Sequence, residues 1–138
     1  MVSTEDQTCA QIRTAVGAAW GVLKAAKPKH LGVHTVGEWH AKRLQTAALA
    51  LADISYSYTA TLSKPQPRAL QQISFSGADV LAEHRSAIVQ TQALVSGIEL
   101  AKEWANRPAN HATPTHLAEA AKSIAKGPSF KCEVLGPK

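Results

Sequence analysis

The order of periodic stretches along the chain is helix, strand, helix, strand, long helix, helix, strand, which predicts an α/β protein with strands joined by helical crossovers. Composition supports a folded chain: of 138 residues, 45% are hydrophobic and 18% charged, too much apolar surface and too little charge for disorder. Punctuation supports it as well, because Pro28, Gly37, Pro65, Pro67, Gly77, Pro108, Pro114 and Gly127 fall between the periodic stretches and not within them.

From Glu5 to Ala26, Ile12, Ala15, Val16, Ala19, Trp20 and Leu23 recur at three- and four-residue steps, the stripe of a core-facing helix. Ser3 or Thr4 is placed to cap it, with Glu5 and Asp6 in its first turn and Lys24, Lys27 and Pro28 at its end. His30 to Val36 reads as a short strand ended by Gly37. Glu38 to about Ile54 is rich in Ala and Leu, and Trp39, Leu44, Ala47, Ala48 and Leu51 give it a helical period.

Ser55 to Pro67 loses the period and reads as a polar surface connection whose prolines exclude regular hydrogen bonding. Gln71 to Ser76 alternates polar and apolar residues up to Gly77, the pattern of a second strand. Asp79 to Asn106 is the longest periodic stretch, with no proline and a single glycine, Gly97. It predicts one long helix bridging two units, and Gly97, which costs about 1 kcal/mol relative to alanine in a helix, suggests a close packing contact. Thr113 followed by Pro114 marks a new helix start, Leu117, Ala120, Ala121 and Ile124 carry it, and Gly127 and Pro128 stop it. Phe130, Cys132 and Val134 then alternate as a third strand.

Several function classes are excluded by the residues themselves. The most apolar run, near Thr46 to Ala52, is far shorter than the roughly 18 residues a membrane span needs, and the acidic start Glu5-Asp6 does not open a secretory signal. Cys9 and Cys132 have no metal-type or disulfide-framework spacing, which points to a reducing, cytoplasmic setting, with Cys132 a small apolar residue buried on its strand. The net charge of +5 permits a nucleic-acid partner, but the basic residues are scattered and lack interleaved aromatics, the pattern of solvated helix ends and turns.

No catalytic constellation emerges. His30, His34 and His40 lack the spacing and the carboxylate or thiolate partner of a zinc site, and His111 and His116 have no acid beside them. No Gly-x-Ser-x-Gly elbow or phosphate-binding glycine loop is present. Glu99 and Glu103, four apart beside Lys102, read as a solvated helix face, while Trp20, Trp39 and Trp104 each read as core anchors within helices.

One segment is more specific. Gly97-Ile98-Glu99-Leu100-Ala101-Lys102-Glu103-Trp104-Ala105-Asn106-Arg107-Pro108-Ala109-Asn110, continuing through Thr113-Pro114, Leu117-Ala118 and Ala121, resembles the linker and catalytic-domain entry of the leucyl aminopeptidase family. In that family a long helix ends in Asn-x-Pro-x-Asn, followed by Thr-Pro and a helix leading into a strand. The joint has a direct physical sense: Asn106 and Asn110 carry amides able to bond backbone groups freed where the helix ends, and Pro108 prevents its continuation.

The resemblance implies a partial N-terminal α/β (macro-like) domain over 1–78, a linker helix over 79–106 and the start of the catalytic domain over 107–138. It further implies a cytoplasmic parent enzyme that removes N-terminal residues from peptides, assembles as a homo-hexamer and uses two divalent metals, zinc or manganese. The family's metal-ligand stretch, Asn-Thr-Asp-Ala-Glu-Gly-Arg-Leu, and its Gly-Lys-Gly segment have no counterpart here. The expectation is therefore no catalytic residue, no metal ligand and no cofactor within these residues, an inactive piece cut at both ends, and a structural joint of Asn106, Arg107, Pro108, Asn110, Thr113 and Pro114. The alternative expectation is a non-catalytic DNA-binding or oligomerisation module, since some family members resemble DNA-binding regulators and a short sheet leaves its edges open for pairing.

Overall fold

The computed structural model of the protein describes residues 9–35, 39–77, 82–126 and 130–136, with the side chains of 82 and 83 omitted. The expected cap at Ser3 or Thr4, the first-turn acids Glu5 and Asp6, the strand end at Val36 and Gly37, and Glu38 lie outside the described residues. So do the helix start at Asp79, with Val80 and Leu81, and the stop at Gly127 and Pro128.

Helix α1 spans Cys9–Leu23 and runs into a 3-10 turn at Lys24–Ala26. Lys27 ends it in the left-handed region at φ 46°, its N–H donating to Lys24 O at 3.1 Å. A side chain is disfavoured in that conformation, but one such residue breaks the helix before Pro28. Strand β1, His30–His34, follows, then α2, Ala41–Ser55. After an irregular connection comes β2, Gln72–Ser76, which pairs parallel with β1 in the register Leu31↔Ile73 and Val33↔Phe75. Parallel strands need a crossover, and α2 supplies it. Helix α3 then runs unbroken over Ala82–Asn106, and α4 spans Pro114–Ile124.

Both strands alternate exposed and half-buried residues. The inward set includes Val33 and Phe75, which pack against Ile12, Trp39, Leu44 and Ala47 together with Val16 and Ile88. Residues of α1, α2 and α3 thus meet one face of the sheet, and the other face, with His30, His34, Gln72, Ser74 and Ser76, is exposed. Helix α2 lies between its neighbours, packing on both α1 and α3, and buries Leu44, Thr46, Ala47, Ala48, Ala50, Leu51 and Ser55. Small side chains let helices approach closely, and the buried hydroxyls of Thr46, Ser55 and Thr91 donate to the carbonyls of Lys42, Leu51 and Ala87, so none costs an unpaired donor.

Several expectations change. Trp39 precedes α2 instead of lying within it: it is 7% exposed, its Nε1 donates to Ser76 O at 3.1 Å, and its ring meets Phe75 edge-on at 5.5 Å. His40 occupies the N-cap position of α2. The stripe of α1 is only partly covered: Ile12 is buried, but Ala19 and Leu23 are exposed, and the stripe lines a groove of about 290 Å³ together with Leu31, Val33 and Leu51. The two strands among the described residues are too narrow a platform for three helices.

Residues 130–135 form no strand, because a strand exists only through its ladder and no described segment pairs with them. Phe130 is accordingly 67% exposed, and Cys132 is exposed, not buried.

Two glycines differ in kind. At Gly77 an added Cβ would lie 2.8 Å from Thr35 Cγ2 and 3.1 Å from Trp39 Cδ1, so the glycine exists to let Trp39 close over the strand end. At Gly97 an added Cβ meets nothing within 4 Å among the described residues, which do not supply the expected close contact there. Gly77→Ala is therefore expected to destabilise the chain by about 1–3 kcal/mol through overpacking, and Gly97→Ala to stabilise it by up to about 1 kcal/mol through helix propensity. Urea unfolding of the two variants beside the parent checks the opposite signs.

Candidate functional site

The residues that carry the most specific sequence signal lie where α3 ends. Helix α3 turns out of its path at Asn106, whose Nδ2 donates to Lys102 O at 2.8 Å, one turn back along the same helix. Arg107 leaves the helix with its guanidinium 4.0 Å from the centre of the Trp104 ring, and it also pairs with the Glu103 carboxylate. Stacking and pairing together fix a planar, permanently charged group at the helix end, where cations are favoured. The Arg107 Nε is buried without a hydrogen-bond partner among the described residues.

Pro108 then begins a short 3-10 turn, Ala109–His111, closed by His111 N–H donating to Pro108 O at 2.8 Å. Asn110 sits exposed in that turn and its amide makes no hydrogen bond among the described residues. Thr113 takes the extended conformation of an N-cap, and its Oγ1 accepts from His116 N–H at 3.3 Å, with Pro114 at the first helical position. Helix α4 buries none of its residues; Leu117 is 47% and Ile124 55% exposed.

The histidines stay apart. His30 and His34 lie on the outer face of β1, His34 Nδ1 lies 3.0 Å from Ser76 Oγ, and His111 and His116 flank Thr113 on separate elements. Among the described residues no three His, Cys, Asp or Glu side chains converge as metal ligands. No described helix is long and apolar enough to cross a membrane.

Sequence reasoning missed the charged residues that join α3 to the rest. Glu99, Lys102 and Glu103 are not a solvated face: Glu99 pairs with Arg68, Lys102 with Asp53, and Glu103 with Arg107. The Glu103–Arg107 pair has a local signal, a four-residue spacing across the end of α3. Arg68 and Glu99 are 31 residues apart, and nothing local connects them.

The fold and the joint together define the class of protein: an α/β unit running through one long helix into a proline-started helix. No family model matches the chain. It is, however, 44% identical over its whole length to a probable cytosol aminopeptidase of Polaromonas naphthalenivorans, 43% identical over 93% of its length to one of Albidiferax ferrireducens, and 50% identical over 66% of its length to one of Acidovorax ebreus. These alignments take in 28%, 26% and 18% of those relatives, so the chain spans about a quarter of the length of the first two and less of the third. A solved structure of a tomato leucine aminopeptidase variant superposes on 88% of the chain with a TM-score of 0.72, at 22% identity and over 25% of that chain, a likeness of fold. The chain belongs to the cytosol aminopeptidase family.

The Thr113 cap gives a direct check on the geometry of the joint. Thr113→Ala is expected to cost about 1 kcal/mol of α4 stability by leaving a first-turn N–H unpaired, whereas Thr113→Ser costs little. Amide exchange of residues 115–117 in the two variants reads this difference.

Proposed function

We propose that the chain is the part of a cytoplasmic aminopeptidase that precedes its catalytic centre. On this reading 1–78 are a partial N-terminal α/β domain, 79–106 the linker helix and 107–138 the opening of the catalytic domain. The identity of 44% to a probable cytosol aminopeptidase along the entire chain carries the reading. The parent protein would hydrolyse the N-terminal residue from peptides, use two divalent metals, zinc or manganese, and work as a homo-hexamer.

The described residues do not fit the metal pair, since they bring no three ligating side chains together. What this chain supplies is mechanical. Asn106, Arg107, Pro108, Asn110, Thr113 and Pro114 act as a joint that ends one helix, turns the backbone and starts the next. Pro108 removes an N–H from any continuation of α3, Asn106 satisfies a carbonyl near its end, and Thr113 with Pro114 pre-sets the first turn of α4.

The experiment is a hydrolysis assay on leucine amide with added zinc or manganese. The 138-residue chain is expected to show no turnover above the metal blank, and the relative from Polaromonas naphthalenivorans to show turnover under the same conditions. Turnover by the 138-residue chain alone would place catalytic groups within it and overturn the reading; a relative without turnover would remove the proposed parent activity.

A further inference from the structure

Helix α3 is held to the rest of the fold by two different kinds of contact along its length. In its first half His84, Ala87 and Thr91 are buried, and Gln45 Nε2 of α2 donates to Ala87 O at 3.4 Å. After Thr91 no residue of α3 is buried: Leu94, Ile98 and Leu100 are 51%, 38% and 37% exposed. Apolar packing gives out, and charge takes over.

Arg68, at the end of the connection between α2 and β2, donates from Nε to Ser55 O at 3.1 Å and from Nη2 to Ala52 O at 3.2 Å, two carbonyls in the last turn of α2. The same Nη2 pairs with the Glu99 carboxylate of α3. One turn further along, Lys102 pairs with Asp53 of α2, and its Nζ lies 5.1 Å from the centre of the Tyr56 ring. Arg68 reaches this position because the connection folds back on itself, Ser57 Oγ donating to Gln66 O at 2.7 Å. Among the described residues no hydrogen bond or ion pair joins α3 to α2 or to the connection beyond Lys102.

We propose that Arg68 is a positioning residue: with Glu99, and with the neighbouring Asp53–Lys102 pair, it forms a charge clasp that sets the direction in which the second half of α3 leaves the α/β unit. A guanidinium suits the task because its rigid fork serves the open end of one helix and a carboxylate on another at the same time. The helix has 25 residues and is about 37 Å long at ~1.5 Å per residue, so a small change of angle at the clasp moves the segment Asn106–Pro114 appreciably. The pairs are partly open to solvent, with side-chain exposures of 28% and 31% for Arg68 and Glu99, so salt weakens the clasp while leaving the buried first half of the helix untouched. The clasp itself does not depend on the aminopeptidase reading; only its consequence for a downstream catalytic unit rests on that reading.

Amide hydrogen exchange on the 138-residue chain tests it without any catalytic readout. In Arg68→Met and in Glu99→Gln, amides 99–106 are expected to exchange roughly three- to tenfold faster, with α1 and the first half of α3 unchanged. Salt of about 0.5 M is expected to move the same amides of the parent chain toward the variants. Glu99→Gln keeps the Arg68 bonds to Ala52 and Ser55, so an effect confined to the end of α2 in Arg68→Met, absent in Glu99→Gln, would reduce Arg68 to a helix cap and sink the proposal. An equal rise over the whole chain would do the same. Turnover in the leucine amide assay bears on the family function and leaves this outcome unaffected.

Discussion

Trp39 is the point at which sheet and helices are made into one object. Its indole N–H is tied to Ser76 O at the end of β2, its ring stands edge-on to Phe75, and it belongs to the cluster with Ile12 of α1 and Leu44 and Ala47 of α2. An indole can do this because it combines a large apolar body with one donor that demands a partner. The carbonyl of Ser76 satisfies that donor, and the absence of a side chain at Gly77 leaves room for the ring. The register of the strands and the seat of α2 therefore share one residue.

Outward from that point the means of attachment change in a regular way. Next to Trp39 the contacts are apolar and the most deeply buried; Leu44 and Ala47 are 3% and 1% exposed. Along α2 and the first half of α3 they become small residues and hydroxyls bonded within their own helices. At the far end they are ion pairs. The gradient follows from geometry: a sheet of two strands covers only part of the helices laid across it, and helix beyond its edge has no apolar surface to bury against.

The same gradient explains what the sequence made legible. Helices α1, α2, α3 and α4 and strands β1 and β2 were readable because their patterns are local: a 3.6-residue stripe, a two-residue alternation, a Thr-Pro start. The joint was readable through its resemblance to a family. Trp39 was misplaced because its spacing suits a helix as well as the residue before one, and only the partners Ser76 and Phe75, far along the chain, decide the matter. Residues 130–135 alternate as a strand does, but alternation specifies a face and not a partner. Gly97 and Gly77 cannot be told apart without knowing what stands opposite each. The charges of α3 looked solvated because a carboxylate announces neither its exposure nor an arginine 31 residues away. Local patterns carried the elements and the joint, and long-range complementarity carried the attachment of α3 to α2.

The parallel pair of strands has one more consequence. It joins residues 42 positions apart, and among the described residues both strands are edges and one face of the pair is open. A two-stranded sheet has little stability of its own, and its closure carries the entropic penalty of the long loop between the strands. In most α/β proteins helices are laid onto a sheet that organises them. Here the dependence is mutual: the crossover of α2 brings β1 beside β2, and Trp39 ties the end of β2 to the helical cluster, so the sheet rests on the helical packing and would be lost with it.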